Sequence, residues 1–433
     1  MTEQKINVAV VGAGTVGSGT VACLTKNAAD IAVRAVPVCL TWLAEKDLPR
    51  GRAVLDELGL TETRLTDRWQ DVVEDPEVDV VVELIGDVTL AKEIIAAALR
   101  AGKSAVTANK DLMAVAGGEL LNIAAEHQTD LLFEASVGGG IPIILPLKES
   151  LAGNSIDSVM GIVNGTTNYI LTQMSETGAA YSDALKKAQE LGYAEQDPTA
   201  DVEGLDAARK VAILASICFN SRVTLDMVSH EGITKICDRD ILYAKELGYA
   251  VKMLGIARCD GSAIEARVHP VLIAQSHPLA AVNDSYNAIF VHGDCVENAM
   301  FYGRGAGSLP TGSAVVGDII IAARNIAHHC KARWGCTCYK ELPVLPEAET
   351  SSKYYIRLSV NDETGVMAML AQVMADAQVS MDAVIQKRRL ENQGAELVII
   401  THKVRHQNIA NALDVLRLLQ CVRSVDGFIR VED

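Results

Sequence analysis

In the first third of the chain, apolar residues fall into short β-branched runs separated by longer stretches with helical spacing. The runs are Ile6 to Val11, Val78 to Leu84, Ser104 to Val106 and Asp130 to Phe133; the helical stretches include Gly17 to Ala29 and Leu90 to Ala101. Gly102 closes the latter as a helix C-cap. Parallel neighbours need a crossover long enough to hold a helix, so this alternation predicts an α/β fold with a doubly wound, mostly parallel sheet. After about Gly140, long helical segments (Ser182 to Leu191, Glu203 to Phe219) mix with alternating strands (Ser262 to Val271, Asn287 to His292), as in an α+β domain. Cys336 to Lys353 carries Pro343, Pro346, Glu347, Glu349 and the hydroxyl run Thr350 to Ser352, the composition of a linker. Beyond it, Tyr354 to Val360, Val366 to Ala377, Val379 to Gln386, Glu396 to His402, Ile409 to Leu419 and Val422 to Val431 predict a βαββαβ unit.

The 433 residues are enough for two or three domains at about 150 residues each. A net charge of −16 would repel a phosphate backbone, so nucleic acid is not an expected partner. Nor is a membrane, because no apolar run reaches the roughly 18 residues of a spanning helix. The chain enters a strand-like run directly after Met1-Thr2-Glu3-Gln4-Lys5, without the basic and apolar regions of a leader. The expected location is the cytoplasm, where ten scattered cysteines stay as thiols.

Gly12-Ala13-Gly14-Thr15-Val16-Gly17 fits G-x-G-x-x-G between a β run and a helical one. Glycines there permit a tight turn and let backbone N–H groups approach a pyrophosphate at a helix N-terminus, which makes Gly12, Gly14, Thr15, Val16 and Gly17 candidate cofactor contacts. An acidic residue at the end of the second strand would mark NAD, and a nearby arginine NADP. With that strand expected near Ile31 to Leu40, neither stands at its end; Lys46, Arg50 and Arg52 just beyond could meet a 2′-phosphate or face solvent. NAD and NADP both stay open.

Thr107-Ala108-Asn109-Lys110 follows a strand, which puts Lys110 at the carboxyl edge of the sheet, where open α/β folds bind ligands. Glu134 to Pro142 is a second glycine-rich strand exit. Its backbone carbonyls and Glu134 could hold a hard cation, and a flexible crossover fits equally well. The densest polar stretch, Leu191 to Lys210, holds Glu195, Asp197, Asp201, Glu203, Asp206 and Lys210. On a helix starting near Glu203, Asp206 and Lys210 share a face. On the surface such a pair contributes about 0.3 to 0.5 kcal/mol. In a cleft, the lysine could exchange a proton with a hydroxyl and the carboxylates could hold an ammonium group. His328, His329, Cys330, Cys336 and Cys338 form one clump rather than the paired knuckles of a zinc site. There is no Walker A, H-E-x-x-H or G-x-S-x-G sequence.

Taken in order, GAGTVG (12 to 17), VVELIG (81 to 86), TANKDLMA (107 to 114), FEASVGGGIPI (133 to 143), GIVNGTTNYIL (161 to 171), LGYAEQDPTADVEGLDAARK (191 to 210) and YGRGAGSLPT (302 to 311) resemble the homoserine dehydrogenase family, in its form with a C-terminal ACT domain. The resemblance implies a Rossmann-like NAD(P)-binding domain over residues 1–140, completed by 305–330. It implies a substrate and dimerisation domain over 141–304, a linker over 331–353 and an ACT regulatory domain over 354–433. The implied activity is NAD- or NADP-linked interconversion of L-homoserine and L-aspartate 4-semialdehyde in threonine, methionine and isoleucine synthesis, by a homodimer or homotetramer. By position in the motifs, Lys210 would be the proton donor, Lys110 would contact cofactor and substrate, and Glu195 and Asp206 would hold the substrate's amino group. Gly305 would contact the cofactor, and Glu134, Val137, Gly139 and Ile141 would bind a sodium ion largely through backbone carbonyls. The resemblance makes L-threonine the expected effector of this tail. Three positions depart from the family pattern: Thr364 replaces a usual proline, Asp87 a usual glycine, and no acid stands at Leu40 or Thr41.

Overall fold

The computed structural model describes residues 5–333, 335–390 and 394–432, with the side chains of 388–390 left aside. From the amino end, β1 (Ile6–Val11), α1 (Thr15–Lys26), α2 (Ala28–Arg34), β2 (Val38–Ala44), α3 (Leu48–Glu57), β3 (Arg64–Thr66), α4 (Trp69–Glu74), β4 (Val80–Glu83), α5 (Val88–Arg100), β5 (Ser104–Thr107), α6 (Lys110–Glu126) and β6 (Leu131–Leu132) alternate. β7 (Ile156–Ile162), α7 (Gly165–Thr177), α8 (Tyr181–Glu190), α9 (Thr199–Val202), α10 (Leu205–Phe219), β8 (Ser229–His230), α11 (Asp238–Glu246), β9 (Tyr249–Cys259), β10 (Ile264–Ala274), β11 (Tyr286–Gly293), β12 (Glu297–Arg304) and α12 (Ser308–Ala327) follow. The last elements are β13 (Ser351–Asn361), α13 (Val366–Asp376), β14 (Met381–Leu390), β15 (Gly394–Thr401), β16 (Val404–Arg405), α14 (His406–Leu416) and β17 (Val422–Glu432).

These elements form two units, one from Met1–Val159, Ala212–Leu225 and Asn287–Leu342, the other from Met160–Val211, Asp226–Tyr286 and Pro343–Asp433. In the first, the strands run in the order β3-β2-β1-β4-β5-β6, and every pairing is parallel. This is the doubly wound arrangement expected. Its central strands read as near-continuous apolar runs because helices cover both faces. Ile6, Val8 and Val10 enter one core with Val315, Val316, Ile319, Ala322 and Ala323 of α12, while Ala9 and Val11 enter the opposite one with Ile94 and Ala98 of α5. The strand order reverses between β1 and β4, and that switch point is where such sheets take ligands.

Two sequence expectations need correction here. The second strand, expected near Ile31 to Leu40, is Val38–Ala44; Ile31 lies in α2, whose Val33 faces outward. The strand expected at Asp130 to Phe133 shrinks to Leu131–Leu132, because the backbone turns into a 3₁₀ helix at Glu134–Ser136.

In the second unit, β9-β10-β17-β13-β15-β14 are successive neighbours in one sheet. The tail's strands pair antiparallel in the order β17-β13-β15-β14. Tyr354, Ile356 and Leu358 of β13 share a core with Leu370 and Met374 of α13 and Leu413 and Leu416 of α14, which completes the βαββαβ unit. β17 also pairs parallel with β10 on its other side. Residues 343–345, inside the stretch that reads as a linker, hydrogen-bond to Ile264 of β10 through the Pro343 carbonyl and the Leu345 N–H, each at 2.8 Å. Arg357 of β13 lies buried between Asp240 of α11 (Nε to Oδ1, 2.8 Å) and Glu396 of β15 (Nη1 to Oε1, 3.2 Å). Among the described residues, no helix is long and apolar enough to cross a membrane.

Candidate active site

The glycine-rich turn connects β1 to α1. Gly12 has φ +103°, and a Cβ there would sit 2.8 Å from the Leu84 carbonyl oxygen; at Gly17 it would fall against the Gly12 carbonyl. Any side chain at either position would break the turn. Gly14 precedes α1 without a side-chain cap, and the first turn has no acidic residue, so its N–H groups suit an anion. A cavity of about 250 Å³ opens beside Thr15 and Val16, lined by Glu83, Leu84, Ile85, Gly86, Ala108, Asn109, Lys110 and Asp111. It lies at the carboxyl ends of β4 and β5, by the switch point.

A chain of hydrogen bonds fixes its floor. Thr107 Oγ1 donates to Glu83 Oε2 (2.6 Å), Ile85 N–H donates to Glu83 Oε1 (2.7 Å), and Asn109 N–H donates to Thr107 Oγ1 (3.0 Å). Asn109 then caps α6 by accepting from Leu112 N–H (3.0 Å), which sets Lys110 as the first residue of that helix. Glu83 is fully buried, and burial pushes its carboxyl pKa above the ordinary value despite these bonds. Asp87 accepts from Leu90 N–H at 2.7 Å, so this departure from the family pattern serves as the N-cap of α5.

The relocated second strand reveals a residue that the sequence reading missed. Glu45 directly follows β2, and its Oε2 accepts from Ala13 N–H in the glycine-rich turn at 2.6 Å. Its Oε1 accepts from Asp47 N–H at 3.0 Å. Lys46 is exposed, and Arg50 sits 4.0 Å from Asp47 with both side chains more than half exposed.

At the second glycine-rich exit, the Glu134 carboxylate accepts from three backbone N–H groups, Ile143 (2.5 Å), Ile144 (2.8 Å) and Leu145 (2.7 Å). Glu134 N–H donates to the buried Asp318 carboxylate (2.8 Å). Burial raises both carboxyl pKa values, Asp318 well above the ordinary range. The Glu134 carbonyl accepts from Val137 N–H at 3.4 Å. Gly138 and Gly139 have φ of +75° and +57°, which turns the chain sharply here. Gly140 N–H donates to the Arg304 carbonyl (3.0 Å), placing the Gly305 segment beside this exit. Among the described residues, no three His, Cys, Asp or Glu side chains are grouped to hold a metal.

In the other unit, Lys210 and Asp206 lie one turn apart on α10. Lys210 Nζ donates to Asp206 Oδ2 and to the Val163 carbonyl, both at 2.7 Å. The two side chains are only 11% and 12% exposed, so this is not the solvated surface pair the spacing also allowed. Asn164, which the sequence reading passed over, caps α7 and donates Nδ2 to both Asp206 Oδ2 (2.9 Å) and Asp201 Oδ1 (2.7 Å). Glu195 is exposed in the loop between α8 and α9, where Gln189 Nε2 donates to its carbonyl (3.1 Å). Its carboxylate enters none of the described hydrogen bonds around Lys210.

A parallel sheet with this turn at its switch point defines a dinucleotide-binding α/β fold, and comparison with known proteins gives the class as an oxidoreductase. The profile described as "Homoserine dehydrogenase, NAD binding domain" matches residues 12–134, and "Homoserine dehydrogenase" matches residues 142–320. The homoserine dehydrogenase of Corynebacterium glutamicum is 43% identical over 99% of this chain and 96% of its own length. The crystal structure of a homoserine dehydrogenase from Thiobacillus denitrificans superposes with a TM-score of 0.93 at 40% identity, covering 99% of both chains. A hyperthermophilic archaeal homoserine dehydrogenase in complex with NADPH gives a TM-score of 0.62 at 27% identity, over 74% of this chain and 98% of that one. The chain belongs to the homoserine dehydrogenase family.

Proposed function

We propose that the chain interconverts L-homoserine and L-aspartate 4-semialdehyde in amino-acid biosynthesis, with Lys210 as the proton donor to the aldehyde oxygen. The observation that carries this reading is the shielded Lys210 and Asp206 pair. An ammonium group has three donors. Two of those on Lys210 are directed at Asp206 and the Val163 carbonyl, which leaves one for a substrate oxygen and fixes where it points. A nicotinamide cofactor, NAD or NADP, supplies the hydride when bound in the crevice beside Thr15 and Lys110. Gly12, Gly14, Thr15, Val16 and Gly17 would hold its pyrophosphate, and Gly305 would complete its contacts. Asp206 and Glu195 would grip the substrate's ammonium group, and the carbonyls of Glu134, Val137, Gly139 and Ile141 would hold sodium.

Glu45 favours NAD over NADP. A carboxylate on the turn can accept from ribose hydroxyls but repels a 2′-phosphate. We expect kcat/KM for NAD to exceed that for NADP by at least about tenfold, the effect of one like-charge contact of about 1.4 kcal/mol. Glu45→Arg should invert the order. An NADP preference in the unaltered protein would sink this assignment of Glu45.

The tail is read as an ACT domain that binds L-threonine, and the working assembly as a dimer or tetramer in the cytoplasm. The experiment is initial-rate measurement of homoserine oxidation with each cofactor, with and without threonine. Turnover of homoserine above other hydroxy amino acids supports the activity, and its absence overturns it. Unchanged rates with threonine overturn the effector alone.

A further inference from the structure

The cysteines of the clump near residue 330 do not converge on one point. Cys330 Sγ donates to Asn325 Oδ1 (3.7 Å), whereas Cys336 and Cys338 line a small cavity of about 50 Å³ in the first unit. Its apolar wall is built from Met113, Leu121 and Phe133, and its polar wall from Lys148, Arg222 and the two thiols. Arg222 Nη2 donates to Cys336 Sγ at 3.6 Å. A Cβ on Gly118 would collide with this guanidinium, so the glycine is what allows it to lie there. Lys148 Nζ donates to the Gly335 carbonyl next in sequence (3.4 Å), while Cys338 Sγ donates to the Ser216 carbonyl (3.8 Å). Cys336 and Cys338 stand two residues apart and line the same cavity. Neither side chain is fully buried.

From this geometry we propose that Cys336-Thr337-Cys338 is a dithiol modification site, in which Cys336 is the nucleophile, Cys338 the resolving thiol, and a low-molecular-weight anionic disulfide such as oxidised glutathione the oxidant. The electrostatics agree. Burial opposes ionisation of Cys336, but the backbone N–H of Cys338 and the charge of Arg222 outweigh it and hold the thiol below its ordinary pKa. Burial and the neighbouring sulfur push Cys338 up to about 11, and burial pushes Cys218 up to about 12. The thiolate is the reactive form, so attack starts at Cys336. Two cations flanking it suit an oxidant that carries carboxylates.

The steps balance. The Cys336 thiolate bonds to one sulfur of oxidised glutathione, whose S–S bond breaks, and one glutathione thiolate leaves. Cys338 gives its proton to solvent and attacks the Cys336 sulfur, expelling the second glutathione thiolate. The protein loses two electrons and two protons to form one disulfide, and one glutathione disulfide becomes two thiols.

The test is mass mapping of the full chain after exposure to oxidised glutathione. In the unaltered protein, the peptide containing residues 336–338 should become two hydrogens lighter. In Cys338→Ser the reaction should stop with one glutathione on Cys336, and Cys336→Ser should show neither product. Arg222→Gln should slow the modification about three- to tenfold through the lost thiolate fraction. Exposed Cys295, whose thiol is held above its ordinary pKa by Asp294, is the internal control. Modification of Cys295 ahead of Cys336, or no mixed disulfide in Cys338→Ser, would overturn the proposal.

Discussion

Lys210→Met is expected to lower kcat by about 10²- to 10⁴-fold, the usual cost of losing a positioned proton donor. Methionine keeps most of the stem that packs along α10, so nucleotide affinity, read by quenching or transfer from the reduced nicotinamide, should change little. The variant also leaves Asp206 with one donor fewer in a place where its side chain is only 12% exposed. A parallel melting curve must therefore show that the loss is chemical. Asp206→Asn offers an independent view: it removes the charge beside the ammonium while Asn164 and the helix stay in place, and it should raise KM for homoserine as well as depress kcat. Near-normal kcat in Lys210→Met would end the assignment.

The second large effect concerns stability. Arg357→Met should destabilise the folded chain by about 3 to 5 kcal/mol, because it strands the buried Asp240 carboxylate and leaves buried Glu396 with only the half-exposed Arg239 (3.3 Å) as its cation. The guanidinium holds Asp240 and Glu396, and its Nη2 also donates to the Asp426 carbonyl (3.1 Å). Tyr355 donates to Asp240 and Tyr243 to Glu396, but these phenols supply no charge. The pH dependence has a definite sign. Burial pushes the Glu396 carboxyl up, yet hydrogen bonds from Tyr243 and Arg357 outweigh it and hold the pKa below the ordinary 4.5. Its contribution is therefore present above that pH and fades as the pH falls through the lower folded value. In the variant the Arg357 share of this support is lost while Tyr243 and Arg239 remain, so the stability gap should be widest near neutrality and narrow on acidification. Urea titrations at several pH values would check this, and a gap under about 1 kcal/mol at neutral pH would refute the account.

The parallel core was legible because β1 and β4 are covered on both faces, and a nearly continuous apolar run after a short amino segment has few other readings. β2 was not. Its residues Val38 to Trp42 are only half-buried, and the stronger apolar run upstream, around Ile31, belongs to α2. That misplacement hid Glu45, which looks like one more charged loop residue until the strand is known to end at Ala44. The i, i+4 pair on α10 could be read as a pair, but its shielding could not. The groups that shield it, the Val163 carbonyl and Asn164, come from more than forty residues earlier in the chain. Asn164 had a visible signal in the Asn-Gly-Thr-Thr start of a helix, where a capping side chain is expected. Glu83 had one too, as a lone acid inside an apolar strand.

The position of the last strand has a practical consequence for anyone shortening this enzyme. β17 lies between β10 and β13, and Glu432 at its end is gripped by Arg267 Nη2 (2.6 Å) and Arg258 Nη2 (2.7 Å). A fragment ending before Ser351 would strip β10 of that neighbour, leave two arginines without their carboxylate, and present unpaired backbone to any passing strand. Such fragments should precipitate or form open-ended aggregates during purification, whereas the intact chain, with that seam filled, should not.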